Sequence, residues 1–440
     1  MKEMLNVFWE RLSENWLDII YKKWKEIPSV YWKSFFIVFI GVNIAFAAYT
    51  FAFIGGDHFL TEGRFIRPIA FNTLTYIGRF ADQYIPFLLT RSLVLPVLTA
   101  FYGFLGLSLG AIALCVYWRV PKSFVSYSIV GLLVSIQPYT LAWVWSFFVM
   151  IEMLWIPVCV IAAYILAEKA GSHGKIKKIV YISLSVLLFI IPLGTHQSTI
   201  NIMAIVFLGR IIIDIFLEWD ATVSSLKKIV LKFRYSVLAA GLGGFLYGFI
   251  FLLLKFNGII PTGNGDYHLR TFTGFSDFAA NFIKIIDISF TRMWQYPAPF
   301  FPPSLIKSFA IISYCGFILV LLNIFIDNTK TKNQKFIKGI VITIFILFII
   351  AFSNIMAMLT PVDFVANSPR ILFLSVPFLC VLPIVLFLIQ RFQFPKNVII
   401  VACIVLINMC LIQDSLVVRV WKNGYEAEKM LWNRLIMRIE

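Results

Sequence analysis

Phosphate loops, zinc pairs and nucleophile elbows are missing from this chain. It contains no G-x-x-x-x-G-K-[ST], no H-E-x-x-H, no Cys or His cluster with metal-ligand spacing and no G-x-S-x-G. Each of those chemistries needs its residue types at that spacing to cradle a phosphate, hold a metal or expose a serine, so all are set aside. Paired cysteines are missing too. Cys115, Cys159, Cys315, Cys380, Cys403 and Cys410 fall in apolar runs with no shared spacing and read as packing residues, not as disulfides or metal ligands. Charge is scarce, at 14% of 440 residues, while 60% are hydrophobic, 45 are phenylalanine and the mean hydropathy is +0.88. A soluble domain could not bury that much apolar surface, so most of it must meet lipid.

What is present is a series of apolar runs of 17 to 25 residues, each helical by necessity because no water satisfies the backbone inside a bilayer. The expected fold class is all-α, a polytopic integral membrane protein with eleven spans near 34–54, 93–118, 124–144, 147–167, 178–194, 197–217, 235–255, 306–326, 338–359, 371–390 and 398–413. Residues 1–33 interleave Trp9, Trp16, Trp24 and Trp32 with Arg11, Lys22, Lys23 and Lys25. No small-residue cleavage site follows the first apolar run, so they read as an interfacial amphipathic helix and not as a signal peptide. Residues 34–413 form the transmembrane domain and 414–440 an amphipathic C-terminal tail.

The connections alternate in charge. Arg119 and Lys122, Lys169 to Lys178, Lys227 to Arg234, Lys330 to Lys338, and Arg391 with Lys396 belong with the basic amino terminus on one side, which the positive-inside rule makes cytoplasmic. That distribution accounts for the net charge of +16 without nucleic acid as a partner. The odd span count puts the tail outside, against the trend of Arg419, Lys422, Lys429, Arg434 and Arg438. The cytoplasmic loops are too short for a catalytic domain, so function is expected in the membrane or at its outer face. Outer loops fall near 55–92, 256–305 and 360–370.

The first outer loop is the centre of interest. It opens on Gly55-Gly56-Asp57-His58, continues through Glu62, Arg64 and Arg67 along an amphipathic segment to Ile77, and reaches Gly78-Arg79-Phe80-Ala81-Asp82-Gln83 and Arg91. Guanidinium forks hold phosphate oxygens bidentately, so carboxylates beside several arginines at a membrane surface suit an anionic lipid-linked substrate. Each arginine alone would serve equally as a snorkelling anchor; four on the lysine-poor side oppose the charge trend. His196-Gln197 is either a turn between spans or part of a cavity wall. Asp363, Asn367 and Arg370 open a late span behind Pro369, where a helix amino terminus and an arginine together receive an anion. Gly263 to Arg270 has turn composition, Tyr296 to Pro303 reads as a rigid lip, and Gln137-Pro138 as a kink.

In its order of parts the chain resembles the bacterial serotype-converting O-antigen glucosyltransferases, multi-pass proteins of GT-C layout. The matching residues are Asp57 just beyond the first span, Gly78-Arg79-Phe80 in place of a Gly-Arg-aromatic motif, His196-Gln197 in place of an aromatic-Gln pair, and Pro369-Arg370 before a late span. The resemblance implies a GT-C-like fold in the bacterial cytoplasmic (inner) membrane, a polyprenyl-phosphate sugar as donor and a lipid-linked or surface polysaccharide as acceptor. On that expectation Asp57, Glu62 and Asp82 are the candidate catalytic carboxylates. His58, Arg64, Arg79, Gln83, His196, Gln197, Asp363 and Arg370 would hold substrate. Family members often show two adjacent acids where this chain has Asp57-His58, which leaves open a divalent metal (Mg2+ or Mn2+) or a second carboxylate. A flippase for lipid-linked sugars and an O-antigen polymerase remain as other classes; a flippase should carry polar residues at mid-membrane depth and at both faces, whereas the polar clusters recognised in the sequence gather at one.

Overall fold

The computed structural model describes residues 26–47, 96–137, 139–140, 154–257, 285–287, 289–290, 303–326, 331–355, 375–389 and 396–439. Among them every element is helical and none is a strand. The helices are α1 (Ser29–Ala45), α2 (Pro96–Tyr117), α3 (Phe124–Ser135), α4 (Ile156–Ala170), α5 (Lys175–Thr195), α6 (Thr199–Glu218), α7 (Val223–Lys232), α8 (Arg234–Phe256), α9 (Pro303–Ile326), α10 (Lys332–Phe352), α11 (Val376–Ile389) and α12 (Lys396–Ile439). Among the described residues seven helices, α2, α5, α6, α8, α9, α10 and α12, are long and apolar enough to cross a membrane, and α1, α3 and α11 are shorter apolar helices. This is a multi-pass membrane protein. Among the described residues each of the eleven expected intervals contains helix, and seven helices reach spanning length and hydropathy.

Glycines set the helix contacts. A side chain at Gly41 of α1 would run into Leu132 of α3, and one at Gly131 of α3 into Val38 of α1. Gly103, Gly106 and Gly110 line one stripe of α2 against Leu154, Trp155 and Pro157 at the start of α4, and Gly316 of α9 lies against Pro383 of α11. Where lipid removes the hydrophobic drive between helices, such close backbone approach supplies van der Waals packing. At the centre lies α11, buried from Val376 to Leu388 and packed against α3, α6 and α9; a helix apolar on all sides belongs there. By contrast α8 and α12 show Phe245, Phe249, Val401 and Ile412 on the outside, the faces left for lipid.

Hydrogen bonds and ion pairs fix which ends lie together. Arg119, after α2, pairs with Glu218 at the end of α6; Lys338 of α10 donates to the carbonyls of Phe216 and Trp219 at 2.8 and 3.1 Å; Lys178 of α5 lies over the ring of Tyr235 in α8. The Ser34 hydroxyl of α1 donates to the Phe124 carbonyl at the start of α3, 3.3 Å away. These join the connections rich in lysine and arginine at one end, here the basic end. Three of its helices begin on hydroxyl caps: Ser123 for α3, Thr222 for α7 and Thr331, in a capping box with Gln334, for α10. At the far end the Ser375 hydroxyl, before α11, donates to the Ser353 carbonyl after α10, 2.6 Å away.

Three features differ from the sequence reading. The basic stretch Lys227 to Arg234, read as a loop, overlaps α7, whose Ile229 is buried while Val223, Val230, Leu231, Lys227 and Lys228 are exposed. It is amphipathic because its apolar residues recur at helical spacing, a pattern too short to match a span template. Ahead of it, Asp220 accepts from the Ser225 hydroxyl and from the hydroxyl and backbone N–H of Thr222, which pull its carboxyl down to about 2. The third span, expected to 144, ends as a helix at Ser135, just ahead of Gln137-Pro138, since the residue before a proline avoids helical backbone. Finally, α12 runs unbroken through residue 413, where the last span was expected to give way to a separate tail.

Candidate functional site

Of the expected site residues, His196 and Gln197 fall in the described part of the chain. Asp57, His58, Glu62, Arg64, Arg79, Asp82, Gln83, Asp363 and Arg370 lie outside the described residues. His196 closes α5 at the far end with extended backbone, its N–H donating to the Pro192 carbonyl at 2.9 Å. The ring is buried: Nδ1 accepts the Ser198 backbone N–H at 3.2 Å and meets the Ser198 hydroxyl. Thr199 then donates its hydroxyl to the same Pro192 carbonyl at 2.9 Å and its N–H to the His196 carbonyl at 3.0 Å, starting α6. His196 is therefore a turn residue whose Nδ1 serves the chain reversal, while Gln197 beside it is half-buried.

A second polar cluster at the far end joins three segments. Asn354 Nδ2 donates to the hydroxyl of Ser289 at 2.9 Å and to that of Ser353 at 3.2 Å, all of them buried. With the Ser375 to Ser353 bond, this ties the end of α10 to the start of α11 and to residues 289–290.

The densest charge among the described residues lies at the opposite, basic end. Asp214 of α6 is fully buried and faces three cations: Lys232 Nζ of α7 at 2.6 Å, Arg210 Nε at 3.1 Å and Arg119 Nη1 at 3.3 Å. Arg119 also pairs with Glu218, Arg210 lies 4.0 Å from Glu168 of α4, and Lys232 lies 3.9 Å from Glu218. Three cations and three carboxylates therefore balance across α4, α6, α7 and the α2–α3 turn. Arg210 donates a further bond to the Tyr117 carbonyl and lies 5.2 Å from the centre of the Tyr117 ring. Arg119 holds a left-handed backbone, φ 54°, to reach its partners. The sequence signal was available: Arg210 and Asp214 stand four apart in an otherwise apolar run, a spacing that places opposite charges on one helix face.

Next to Arg210, Gly209 leaves room for the buried Trp118 ring; an added Cβ would sit 2.6 Å from Trp118 Cζ2. The ring is pinned by its Nε1–H donating to the Val206 carbonyl at 3.0 Å, so it cannot swing aside. Gly209→Ala is expected to lower stability by about 1–3 kcal/mol in spite of alanine's better helix propensity. A thermal midpoint in detergent at or above the parent's would contradict that placement.

For metals the donor set is thin. Among the described residues no group of three or more His, Cys, Asp or Glu side chains could hold an ion. Asp57-His58, the pair at which the sequence left a divalent metal open, lies outside them. No family model matches the chain, and neither a curated protein nor a solved structure does.

Proposed function

We propose that the protein is a GT-C-type membrane glycosyltransferase that moves a sugar, glucose by its resemblance, from a polyprenyl-phosphate donor to a lipid-linked or surface polysaccharide such as O-antigen. It would work at the outer face of a bacterial cytoplasmic membrane, with eleven spans, a cytoplasmic amino terminus and Asp57 as general base. The observation that carries the reading is one of connectivity. α1 ends and α2 begins at the far end, as do α8 and α9, and α10 and α11. The connections 48–95, 258–302 and 356–374 therefore all root at the lysine-poor end, and they contain Asp57, Arg79, Asp363 and Arg370. The His196-Gln197 turn is at that end too. A donor presented from the bilayer meets helices on all sides, its phosphate needs arginines, and the acceptor hydroxyl needs a base within about 3 Å.

The test uses the full chain in nanodiscs with radiolabelled polyprenyl-phosphate glucose and a lipid-linked polysaccharide extract. Label should pass into polysaccharide. Absence of both transfer and donor binding would sink the reading. A flippase for lipid-linked sugars is the second reading, and one observation favours it: the Asp214 network puts buried charge at the basic end, where the sequence had suggested polar clusters at the far face alone.

A further inference from the structure

One carboxyl in the apolar interior lies apart from both the charged network and the far-end turns. Asp414 lies on the buried face of α12, in register with Ile407, Cys410, Val417 and Val418, and is itself fully buried. Neither of its oxygens has a hydrogen-bond partner among the described residues. α12 starts at the basic end, so 18 residues at about 1.5 Å each place Asp414 roughly 27 Å along it, close to the far boundary of a hydrocarbon layer about 30 Å thick. Along its length α12 packs against α1 and α3.

Other buried polar groups lie on the helices around it, in the same half of the bundle. Cys410, one turn before Asp414, is within electrostatic reach of it and of Cys380, four residues into α11 from the far end. Cys380 is in turn within reach of Tyr139, two residues past Gln137. Among the described residues the fully buried Gln137 side chain has neither its amide nitrogen nor its oxygen bonded, and the buried hydroxyl of Ser135 is likewise without a partner. Leaving such groups unmet costs about 1–3 kcal/mol each, more for a charge, so native proteins complete them with a partner, water or ligand. An ionisable side chain within a membrane bundle marks a substrate or ion path. A carboxyl, a carboxamide and a hydroxyl make a poor divalent-cation cage, which prefers several oxygens with more than one carboxylate. They match the alternating donors and acceptors of vicinal sugar hydroxyls.

We propose that Asp414, with Gln137 and Ser135, forms a saccharide-binding subsite in the far half of the bundle that receives the sugar hydroxyls of the lipid-linked substrate. The identity of the ligand rests on the transferase reading. The experiment reads the carboxyl without requiring transfer. Dicyclohexylcarbodiimide enters from the lipid; the carboxyl oxygen bonds to its central carbon, the acid proton passes to one nitrogen, and acyl migration to nitrogen leaves an N-acylurea with no leaving group. Full-length protein in nanodiscs, without acceptor, should gain this mass on the peptide carrying Asp414, and Asp414→Asn should abolish it. Polyprenyl-phosphate glucose at ten times its Kd should slow labelling about tenfold, as occupancy requires, while polyprenyl phosphate without sugar should not. Gln137→Leu, which keeps the carboxyl, should keep the labelling and lose the protection. No labelling at Asp414, or equal slowing by both lipids, overturns the subsite. Transfer without protection would overturn the subsite and leave the transferase reading standing; protection in a protein that binds donor yet transfers nothing to the extract would leave the subsite standing and place the fault in the acceptor.

Discussion

Asp214→Ala is expected to destabilise the protein by about 3–5 kcal/mol, because it strips the shared carboxylate from three cations and leaves a buried guanidinium uncompensated. The burial is decisive. Asp214 is 0% exposed and the Arg210 side chain 8%, whereas Arg119 and Glu218 are 34% and 40% exposed and their mutual pair, screened by solvent, contributes little. Arg210 cannot leave for water, since it is held between Asp214, Glu168 and the Tyr117 carbonyl. Removing both charges should therefore harm less than removing one. The double variant Asp214→Asn with Arg210→Gln is expected to recover part of the loss, with a coupling of about 0.5–3 kcal/mol across the cycle. Thermal midpoints of the parent, both single variants and the double variant in one detergent test this; an Asp214→Ala protein as stable as the parent would mean the network holds nothing together.

That network shows where sequence reading stops. The alternation of Arg119, Lys178, Lys232 and Lys338 along the chain predicts one shared basic end, and their contacts with Glu218, Tyr235, Asp214 and Phe216 put them there. Hydropathy suffices for this because the bilayer forces each apolar run into a helix, whatever its side chains. It says nothing of which helices meet, so Glu168 and Arg119, far apart in sequence, gave no sign of sharing partners on α6. α7 was hidden for another reason: ten residues with three lysines look like a loop until Ile229 is seen to be buried. Asp414 was hidden by averaging. Hydropathy drops at Gln413-Asp414, which suggests an end to the span, yet the buried face passes through Cys410, Asp414 and Val417 without a break. The first-loop residues, Asp57 and Arg79 foremost, were legible as a cluster of charge in a chain where only 14% of residues are charged, and their proposed roles rest on that pattern and on where the loop is rooted.

Asp57→Asn, under the proposed reaction, should lower sugar transfer by about 10²–10⁴-fold, the contribution of a positioned general base. The substitution keeps size and hydrogen-bonding shape while removing the lone pair that accepts the acceptor's hydroxyl proton. Donor affinity should then stay close to the parent's, because phosphate binding falls to arginines and not to this carboxyl. Arg79→Gln should fail differently, since the guanidinium would meet charge that grows on the polyprenyl phosphate as it departs; losses of about 10²–10³-fold in turnover are expected, together with weaker donor binding. The leaving group is already an anion, so no second acid is needed to protonate it, and Glu62 and Asp82 are left to hold sugar hydroxyls, with smaller penalties on substitution. Because the base must be ionised, the acid limb of the parent's pH profile should vanish in whatever activity Asp57→Asn retains. An Asp57→Asn protein with full turnover would move the base elsewhere, and the first outer loop would then be read as an anchor for lipid phosphate alone.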